Sequence, residues 1–234
     1  MRIFILVTLF LLVPYLMVGQ TGCDTCQHKK HPFLKQYGLP ASLLAGSIIL
    51  QIGDIKKDIQ SFFPNTETHI DDWLKFGPEV EMYAFDLAGI KHKNTVFDQT
   101  KYLIISHLVT GGIVQALKVT TKVRRPSGGI HSFPSGHTSY AFVGATVLYN
   151  EFRETEPLLA YSGFVFATAT GILRITNDAH WLPDVMAGAA IGMVVTNLVY
   201  RIEPLKFKTF GRAKNSLAVN AIPLGNGVIL RVTF

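Results

Sequence analysis

The chain has 234 residues, of which 48% are hydrophobic and only 16% are charged, and its mean hydropathy is +0.28. Soluble proteins carry about 25% charged residues, so this composition favours membrane association. The formal net charge is +6, but no basic helix carries the interleaved aromatic residues that stack on bases, which excludes nucleic acid as a partner. The length fits one substantial domain, and no internal repeat suggests more.

The amino terminus has the order of an export signal, with a positive charge followed by an apolar run from Ile3 to Val18. We therefore predict a signal peptide or an N-terminal anchor over residues 1–20. Cys23 and Cys26 follow as a CxxC pair, which alone is compatible with a redox pair, half of a metal site or a local disulfide. Because no second CxxC completes a zinc site, we expect a local disulfide or two idle thiols.

Residues 21–100 are predicted to form an N-terminal helical or interfacial region. The apolar stretch from Pro40 to Ile52 is too short to cross a bilayer comfortably, which indicates a buried or partly inserted helix. The polar stretch from Asp54 to Pro78 contains isolated aromatic residues and is predicted to form water-facing or interfacial helices. We expect the pair Gly77-Pro78 to stop a helix.

Residues 101–201 are predicted to form a catalytic core of four apolar segments. These segments run from Tyr102 to Leu117, from Thr138 to Tyr149, from Pro157 to Leu173 and from Val185 to Tyr200. Apolar and small residues surround the third segment at helical spacing, so protein or lipid must enclose it. Small residues along these segments allow close helix approach. We expect an all-α, antiparallel helical bundle that is embedded in a membrane.

Residues 202–234 are predicted to form a basic tail that ends in a β-hairpin. The two strand-like stretches run from Ser216 to Leu224 and from Val228 to Phe234, and Gly225-Asn226-Gly227 lies between them. An Asn-Gly pair between two such stretches is typical of a hairpin turn. The basic residues of the tail are Lys206, Lys208, Arg212 and Lys214.

Short connections make the four apolar segments alternate in direction, so alternate ends lie on one face of the bundle. The polar residues gathered on that face are Lys118, Arg125, Ser135, Gly136, His137, Arg174, His180 and Asp184. Two arginines and a lysine around one point suit a dianionic phosphate. A helix that starts at Ser135-Gly136 adds backbone N–H groups and its dipole to the same anion site.

Two histidines can divide the chemistry at this site. Asp184 follows His180 by four residues, and Pro183 places it in the first turn of the last helix. Asp184 can then hold the imidazole N–H and present the other ring nitrogen to phosphorus. His137 is left as general acid and base. Because no carboxylate cluster of two-metal spacing is visible, we expect neither a metal nor another cofactor.

Three motifs carry a resemblance to a known family: Lys118-x6-Arg125-Pro126, Pro134-Ser135-Gly136-His137 and Arg174-x5-His180-x3-Asp184. In order and spacing they resemble the signature of the type 2 phosphatidic acid phosphatase (PAP2) superfamily, which includes bacterial acid phosphatases and vanadium haloperoxidases. One position departs from the pattern, because Leu173 stands where the family usually has serine.

The resemblance implies an all-helical fold and separate roles for the motif residues. It implies His180 as the nucleophile that forms a phosphohistidine, Asp184 as its partner and His137 as acid and base. The residues that the resemblance assigns to phosphate binding are Lys118, Arg125, Ser135, Gly136 and Arg174.

The expected activity is metal-independent hydrolysis of a phosphate monoester or diphosphate of a lipid, such as phosphatidate, phosphatidylglycerol phosphate, polyprenyl diphosphate or lipid A. The alternatives are a soluble periplasmic acid phosphatase, a vanadium-dependent haloperoxidase and a non-enzymatic lipid-phosphate binding protein. We expect the protein in the cell envelope with its site facing the periplasm or the outside. The expected partners are the lipid and the membrane, and no obligate protein partner is implied.

Overall fold

The fold is described from a computed structural model, which covers residues 32–52, 54–202, 218–224 and 227–233. The features predicted outside these ranges are the signal or anchor of residues 1–20, Cys23, Cys26, Lys206, Lys208, Arg212 and Lys214. The chain divides into two compact units, one that ends at Arg201 and one formed by residues 202–234. Each unit is described by itself.

Eight helices form the described part of the first unit. They are α1 (Pro32–Gln51), α2 (Ile55–Gln60), α3 (Asp71–Leu74), α4 (Gly77–Leu87), α5 (Val96–Thr121), α6 (Gly136–Phe152), α7 (Pro157–Thr176) and α8 (Leu182–Val199). The predicted helical bundle is confirmed. Each of the four predicted apolar segments lies in one of the helices α5 to α8, except that Tyr200 follows the last residue of α8 as its C-cap.

Contacts at both ends of the bundle show that α6 and α8 run in the same direction. The backbone N–H of Ser135 donates to the carbonyl oxygen of Asp184 at 3.0 Å, so the two helices begin side by side. At their other ends, Nδ2 of Asn150 donates to Oδ1 of Asn197 at 3.1 Å.

Helices α5 and α7 run opposite to α8. The rings of Tyr102 and Tyr200 stack with their centroids 4.4 Å apart, which places the start of α5 beside the end of α8. A Cβ added at Gly171, near the end of α7, would lie 2.8 Å from Val185 at the start of α8. The expected alternation of the four segments is therefore confirmed.

Glycines on α8 allow it to pack directly on the backbone of α6. A Cβ added at Gly188 would lie 2.5 Å from the carbonyl oxygen of Ser135, and one at Gly192 would lie 2.5 Å from that of Ser139. Real Cβ atoms do not approach oxygen so closely. The small-residue faces predicted from the sequence thus bring two helices into close contact at the end where the motifs lie.

Within the part of the chain that the structure describes, three helices, α5, α7 and α8, are long and apolar enough to cross a membrane. The candidate span of α8 is 78% buried inside the protein, whereas that of α5 is only 22% buried. Apolar side chains on the outer helices face outward, because Leu108 of α5 is 71% exposed and Val165 of α7 is 68% exposed. Such faces fit lipid, so the protein is a membrane protein; the direction in which it crosses stays a prediction.

Local signals explain where the functional helices begin. Oγ1 of Thr95 accepts from the N–H of Asp98 at 3.2 Å and caps α5. In α8, Pro183 lies in the first turn, and the carboxylate of Asp184 accepts from the N–H of Trp181 at 3.0 Å. The predicted placement of Asp184 in the first turn of the last helix is confirmed.

Two details predicted for the N-terminal region need correction. The stretch predicted from Pro40 to Ile52 is part of a longer helix up to Gln51, since α1 begins at Pro32 and contains Pro40, and Ile52 follows its end. The pair Gly77-Pro78 does not stop a helix; it opens α4. A proline in the first turn gives up no helical hydrogen bond, which is why this position tolerates Pro78.

The second unit contains the predicted strand pair. Strands β1 (Ala218–Leu224) and β2 (Gly227–Thr233) are antiparallel, with Ala218 opposite Thr233 and Leu224 opposite Gly227. The hairpin is confirmed with shifted boundaries, because Gly227 pairs as the first residue of β2 rather than lying in the turn.

Candidate active site

The first motif begins at the end of α5, where Lys118 is joined to the segment before α6. Nζ of Lys118 donates to the carbonyl oxygens of His131 at 2.8 Å and Ser132 at 3.3 Å. In return, Nδ1 of His131 donates to the carbonyl oxygen of Lys118 at 2.7 Å. These bonds hold the ammonium group without an ion-pair partner, because a carbonyl oxygen carries no net charge.

Arg125 lies in a tight turn between α5 and α6. Its N–H donates to the carbonyl oxygen of Gly129 at 2.7 Å, and Gly128 adopts a φ of +93°, which side-chain-bearing residues rarely adopt. Burial, and then the charge of Arg174, hold the pKa of the Arg125 guanidinium below its ordinary value. The turn thus brings a second cation into a partly buried site.

The loop that carries Arg125 is fastened to the loop between α7 and α8. The N–H of Ser127 donates to the carbonyl oxygen of Asp178 at 3.1 Å. Nε1 of Trp181 donates to the carbonyl oxygen of Arg124 at 2.7 Å. The first and third motifs, which lie about fifty residues apart in sequence, therefore form one surface.

The second motif forms the start of α6. Ser135 is its N-cap and is fully buried, and its Oγ lies 2.9 Å from Oγ1 of Thr138. Gly136 is the first helical residue, and an added Cβ there would lie 3.7 Å from Val114 and 4.0 Å from Lys118. The free N–H groups of this helix start lie beside the ammonium group of Lys118.

His180 is buried at the bottom of the site, and a serine lies between it and Asp184. Nδ1 of His180 is 3.8 Å from Oδ2 of Asp184, beyond hydrogen-bond range. Oγ of Ser132 donates to Oδ2 of Asp184 at 2.5 Å and lies 3.4 Å from Nδ1 of His180. Burial lowers the pKa of His180 to about 4, while the nearby carboxylate acts in the opposite direction. The imidazole is therefore neutral at pH 7.

Arg174 closes the other side of the site and is held by α3. Its Nη1 donates to Oδ2 of the buried Asp71 at 2.5 Å, and Nδ2 of Asn177 donates to Oδ1 of the same carboxylate at 2.9 Å. The Nε–H of Arg174 is buried and has no hydrogen-bond partner. A buried donor without an acceptor is rare in proteins.

His137, the second residue of α6, also contacts α3 and the residue after it. Its Nε2 lies 2.7 Å from Oδ1 of Asp72 and 3.2 Å from Nζ of Lys75. The hydrogen bond to His137 holds the pKa of Asp72 below its usual range. His137 is thus presented to the site by a carboxylate that stays ionised.

The structure brings all eight residues selected from the sequence to one end of the bundle. Sequence reasoning did not select Ser132, Asp71, Asp72 and Lys75, which contact five of those eight. Ser132 lies two residues before the second motif, and its proximity to that motif was an available signal. Asp71 and Asp72 are adjacent in the sequence, but nothing in the sequence indicated their partners. Asp72 contacts His137, 65 residues further along, and Asp71 contacts Arg174, 103 residues further along.

Comparison with known proteins finds a family match in the part of the chain that contains the candidate active site. Over residues 127–208 the chain matches the PAP2 superfamily. The sequence resemblance is confirmed over this range, which includes the second and third motifs but not Lys118 or Arg125. The second and third motifs, over which this match extends, therefore lie where the geometry places the candidate active site.

Curated relatives of this part of the chain are lipid phosphatases. The chain is 37% identical over 131 residues to a lipid A 1-phosphatase of Porphyromonas gingivalis, covering 54% of this chain and 29% of that protein. It is 30% identical over 139 residues to lipid phosphate phosphatase 1 of Arabidopsis thaliana, covering 42% of each chain. The chain thus spans less than half the length of these relatives.

Two solved structures show a likeness at low identity. Aquifex aeolicus LpxE is 21% identical, with a TM-score of 0.44 over 58% of this chain and 88% of that chain. A transmembrane PAP2-type phosphatidylglycerolphosphate phosphatase from Bacillus subtilis is 20% identical, with a TM-score of 0.45 over 74% and 98%.

One group near the PAP2 motifs has the ligand types of a metal site. Oxygen and nitrogen atoms of Asp71, Asp72 and His137 lie within 4.8 Å of one another. Asp71 is already paired with Arg174, and Lys75 lies against His137. The positive charges of Arg174 and Lys75 oppose the binding of a metal cation to this group. The absence of a bound metal stays a prediction, and these contacts favour it.

Proposed function

We propose that the protein is a PAP2-type phosphatase that hydrolyses a phosphate monoester or diphosphate of a lipid through a phosphohistidine on His180. The observation that carries this proposal is an uncompensated set of cations. Among the described residues, Lys118 and Arg125 have no carboxylate within ion-pair distance. A phosphate dianion supplies the missing negative charge and acceptor oxygens.

The orientation of His180 supports its role as nucleophile. Ser132 and Asp184 lie on the Nδ1 side of the ring, and within the described residues Nε2 makes no hydrogen bond. A neutral imidazole with one nitrogen held and the other free is the form that attacks. Nε2 then bonds to phosphorus as the bond from phosphorus to the leaving oxygen breaks. Lys118, Arg125 and Arg174 stabilise the charge on the transferring group.

His137 is proposed to move the proton in both halves of the reaction. In the first half the imidazolium form of His137, whose charge the carboxylate of Asp72 stabilises, turns its Nε2–H from Asp72 to the leaving oxygen and protonates it, which leaves His137 neutral. In the second half His137 takes a proton from water, and the resulting hydroxide attacks phosphorus and frees His180. The cycle consumes one water and releases one phosphate, and His137 ends in its starting form.

A lipid substrate is supported by the membrane helices and by the curated relatives. The candidate site lies at one end of the apolar helices α5, α7 and α8, and the phosphate of an amphipathic molecule would meet water there. The relatives are named as phosphatases of lipid A and of lipid phosphates. Phosphatidate, phosphatidylglycerol phosphate, polyprenyl diphosphate and lipid A 1-phosphate are the candidates, with the site on the periplasmic side. The spans disfavour the soluble periplasmic alternative.

Phosphate release from a panel of these four lipids in detergent micelles tests the proposal. We expect wild-type release to persist in EDTA and to be lost in His180→Ala. The matched control is His92→Gln, because His92 lies at the opposite end of the bundle beside Asp86. Wild-type rates in His180→Ala, or loss of all activity in EDTA, contradict the mechanism.

A further inference from the structure

The end of α1 reaches the candidate active site from outside the three motifs. Nε2 of Gln51, the last residue of α1, donates to Oδ1 of Asp184 at 3.2 Å. Oγ of Ser132 and the backbone N–H of Trp181 both donate to the other oxygen, Oδ2. Within the described residues, Gln51 is therefore the one donor to Oδ1. Because Asp184 is fully buried, solvent does not readily replace a donor that is lost.

A cation lies behind Gln51. Nζ of Lys56, which belongs to α2, donates to Oε1 of Gln51 at 3.1 Å. The amide thus accepts from an ammonium group at one end and donates to a carboxylate at the other. A hydrogen bond accepted from a cation polarises the amide and strengthens the bond that the amide donates. Lys56 therefore acts on Asp184 through the amide of Gln51.

The packing of α1 holds Gln51 in this position. Oγ of Ser47, one helical turn earlier on α1, is buried and donates to the carbonyl oxygen of Pro183 at 2.8 Å. A Cβ added at Gly46 would lie 2.6 Å from Cε of Met186, so the backbone of α1 lies directly against the side chains of α8. These contacts fix the end of α1 against the first two turns of α8.

We infer that Gln51 is a positioning residue for the proposed reaction, which holds the carboxylate of Asp184 through Oδ1 while Lys56 polarises its amide. The inference rests on the proposed function. As His180 accepts the phosphoryl group, its ring gains positive charge, which the ionised carboxylate stabilises. A donor on Oδ1 favours the ionised form and fixes the plane of the carboxylate. Because Gln51 does not hydrogen-bond to any phosphate-binding residue in the described part of the chain, kcat rather than KM depends on it.

Substitution by methionine removes the amide and keeps the length of the side chain. Gln51→Met should lower kcat about tenfold and leave KM within about twofold of the wild type. The matched control is Gln36→Met near the start of the same helix, where Oε1 of Gln36 accepts from Nη2 of Arg201 at 2.7 Å. Gln36→Met should keep both constants within about twofold.

A double-mutant cycle tests whether Lys56 acts through Gln51. Lys56→Met should lower kcat about threefold on its own and by less than about 1.5-fold when Gln51→Met is already present, because the amide that Lys56 polarises is gone. Nζ of Lys56 also lies over the ring of Trp181, 5.5 Å from its centroid. If that contact carried the effect, the two losses would multiply. Multiplying losses therefore overturn the role inferred for Lys56.

The outcomes separate this inference from the proposed function. Both constants are measured on the lipid of the four-lipid panel that the wild type hydrolyses most efficiently. A wild type that releases no phosphate from any of the four contradicts the proposed function. Turnover by the wild type with an unchanged kcat in Gln51→Met, or with an equal loss in Gln36→Met, overturns the inference.

A second variant covers the case in which Gln51→Met melts at a lower temperature than the wild type. Gln51→Glu keeps the shape of the side chain and still accepts from Lys56, but at neutral pH it gives Asp184 no N–H. It should lower kcat by at least about tenfold, because it also places a second negative charge beside that carboxylate. A wild-type kcat in Gln51→Glu would overturn the inference.

Discussion

The hydroxyl of Ser132 donates a 2.5 Å hydrogen bond to Oδ2 of Asp184, and this pair flanks Nδ1 of His180. We predict that Ser132→Ala lowers kcat about tenfold, or about 1.4 kcal/mol in barrier height. Without the hydroxyl, the carboxylate is 3.8 Å from the ring that it must orient. Steady-state phosphate release measures the change.

Asp184→Asn is the reference for that measurement and should lower kcat far more than Ser132→Ala, because it removes the charge itself. Both variants need circular dichroism spectra like those of the wild type. Equal losses of kcat in the two variants would contradict the prediction, because they would show that the Ser132 hydroxyl matters as much as the Asp184 charge.

His180 should remain neutral well below the ordinary histidine range, because its burial lowers the pKa to about 4. In the unfolded chain the His180 imidazole binds a proton near pH 6.5, whereas in the folded protein it does so only near pH 4. The neutral His180 therefore makes its full contribution to folding stability above pH 6.5, and this contribution is lost as the pH falls toward 4. An imidazole NMR titration in micelles, assigned by the signal missing in His180→Gln, measures the pKa. A midpoint between 6 and 7 contradicts the prediction.

The ion pair between Asp71 and Arg174 should contribute to stability as well as to the site. Asp71 is 1% exposed and Arg174 is 13% exposed, so Asp71→Asn leaves a poorly hydrated guanidinium without its counter-charge. We predict a loss of about 3 kcal/mol in the free energy of unfolding. Thermal denaturation followed by circular dichroism should show a lower melting temperature.

The control for Asp71→Asn is a substitution in an exposed pair. Asp54 and Lys57 are 78% and 62% exposed and lie 2.7 Å apart, so Asp54→Asn should leave the melting temperature unchanged. Equal effects of the two substitutions would contradict the importance assigned to the buried pair.

Gly188 should be intolerant of even one methyl group. Its Cβ position lies 2.5 Å from the carbonyl oxygen of Ser135, so Gly188→Ala must push α8 away from the start of α6. We predict a loss of about 1–3 kcal/mol in stability together with reduced activity. Gly38→Ala is the matched control, because Gly38 is also helical and its added Cβ meets nothing within 4 Å; it should be neutral or stabilising.

The parts of the site that follow from helical spacing could be predicted from the sequence. His180 and Asp184 are four residues apart at a helix start, and alternation of the apolar segments brought Lys118 and His137 to the same end. Gly77-Pro78 was ambiguous, because proline suits both the end of one helix and the first turn of the next.

Other contacts depend on tertiary structure alone. The turn before α6 places Ser132 between Asp184 and His180, and no periodicity in the sequence encodes that position. Asp71 meets Arg174 across 103 residues, and only the docking of α3 against the end of α7 brings them together. Such pairings require the three-dimensional fold.

The most direct test of the proposed mechanism is to trap the covalent intermediate. Wild-type protein is mixed with a lipid carrying a 32P-labelled phosphate, quenched rapidly in alkali and digested. We predict an acid-labile, alkali-stable label on the peptide that contains His180, and none in His180→Gln. Steady turnover by the wild type with His180 unlabelled at every quench time, or with the label on His137, would contradict the account.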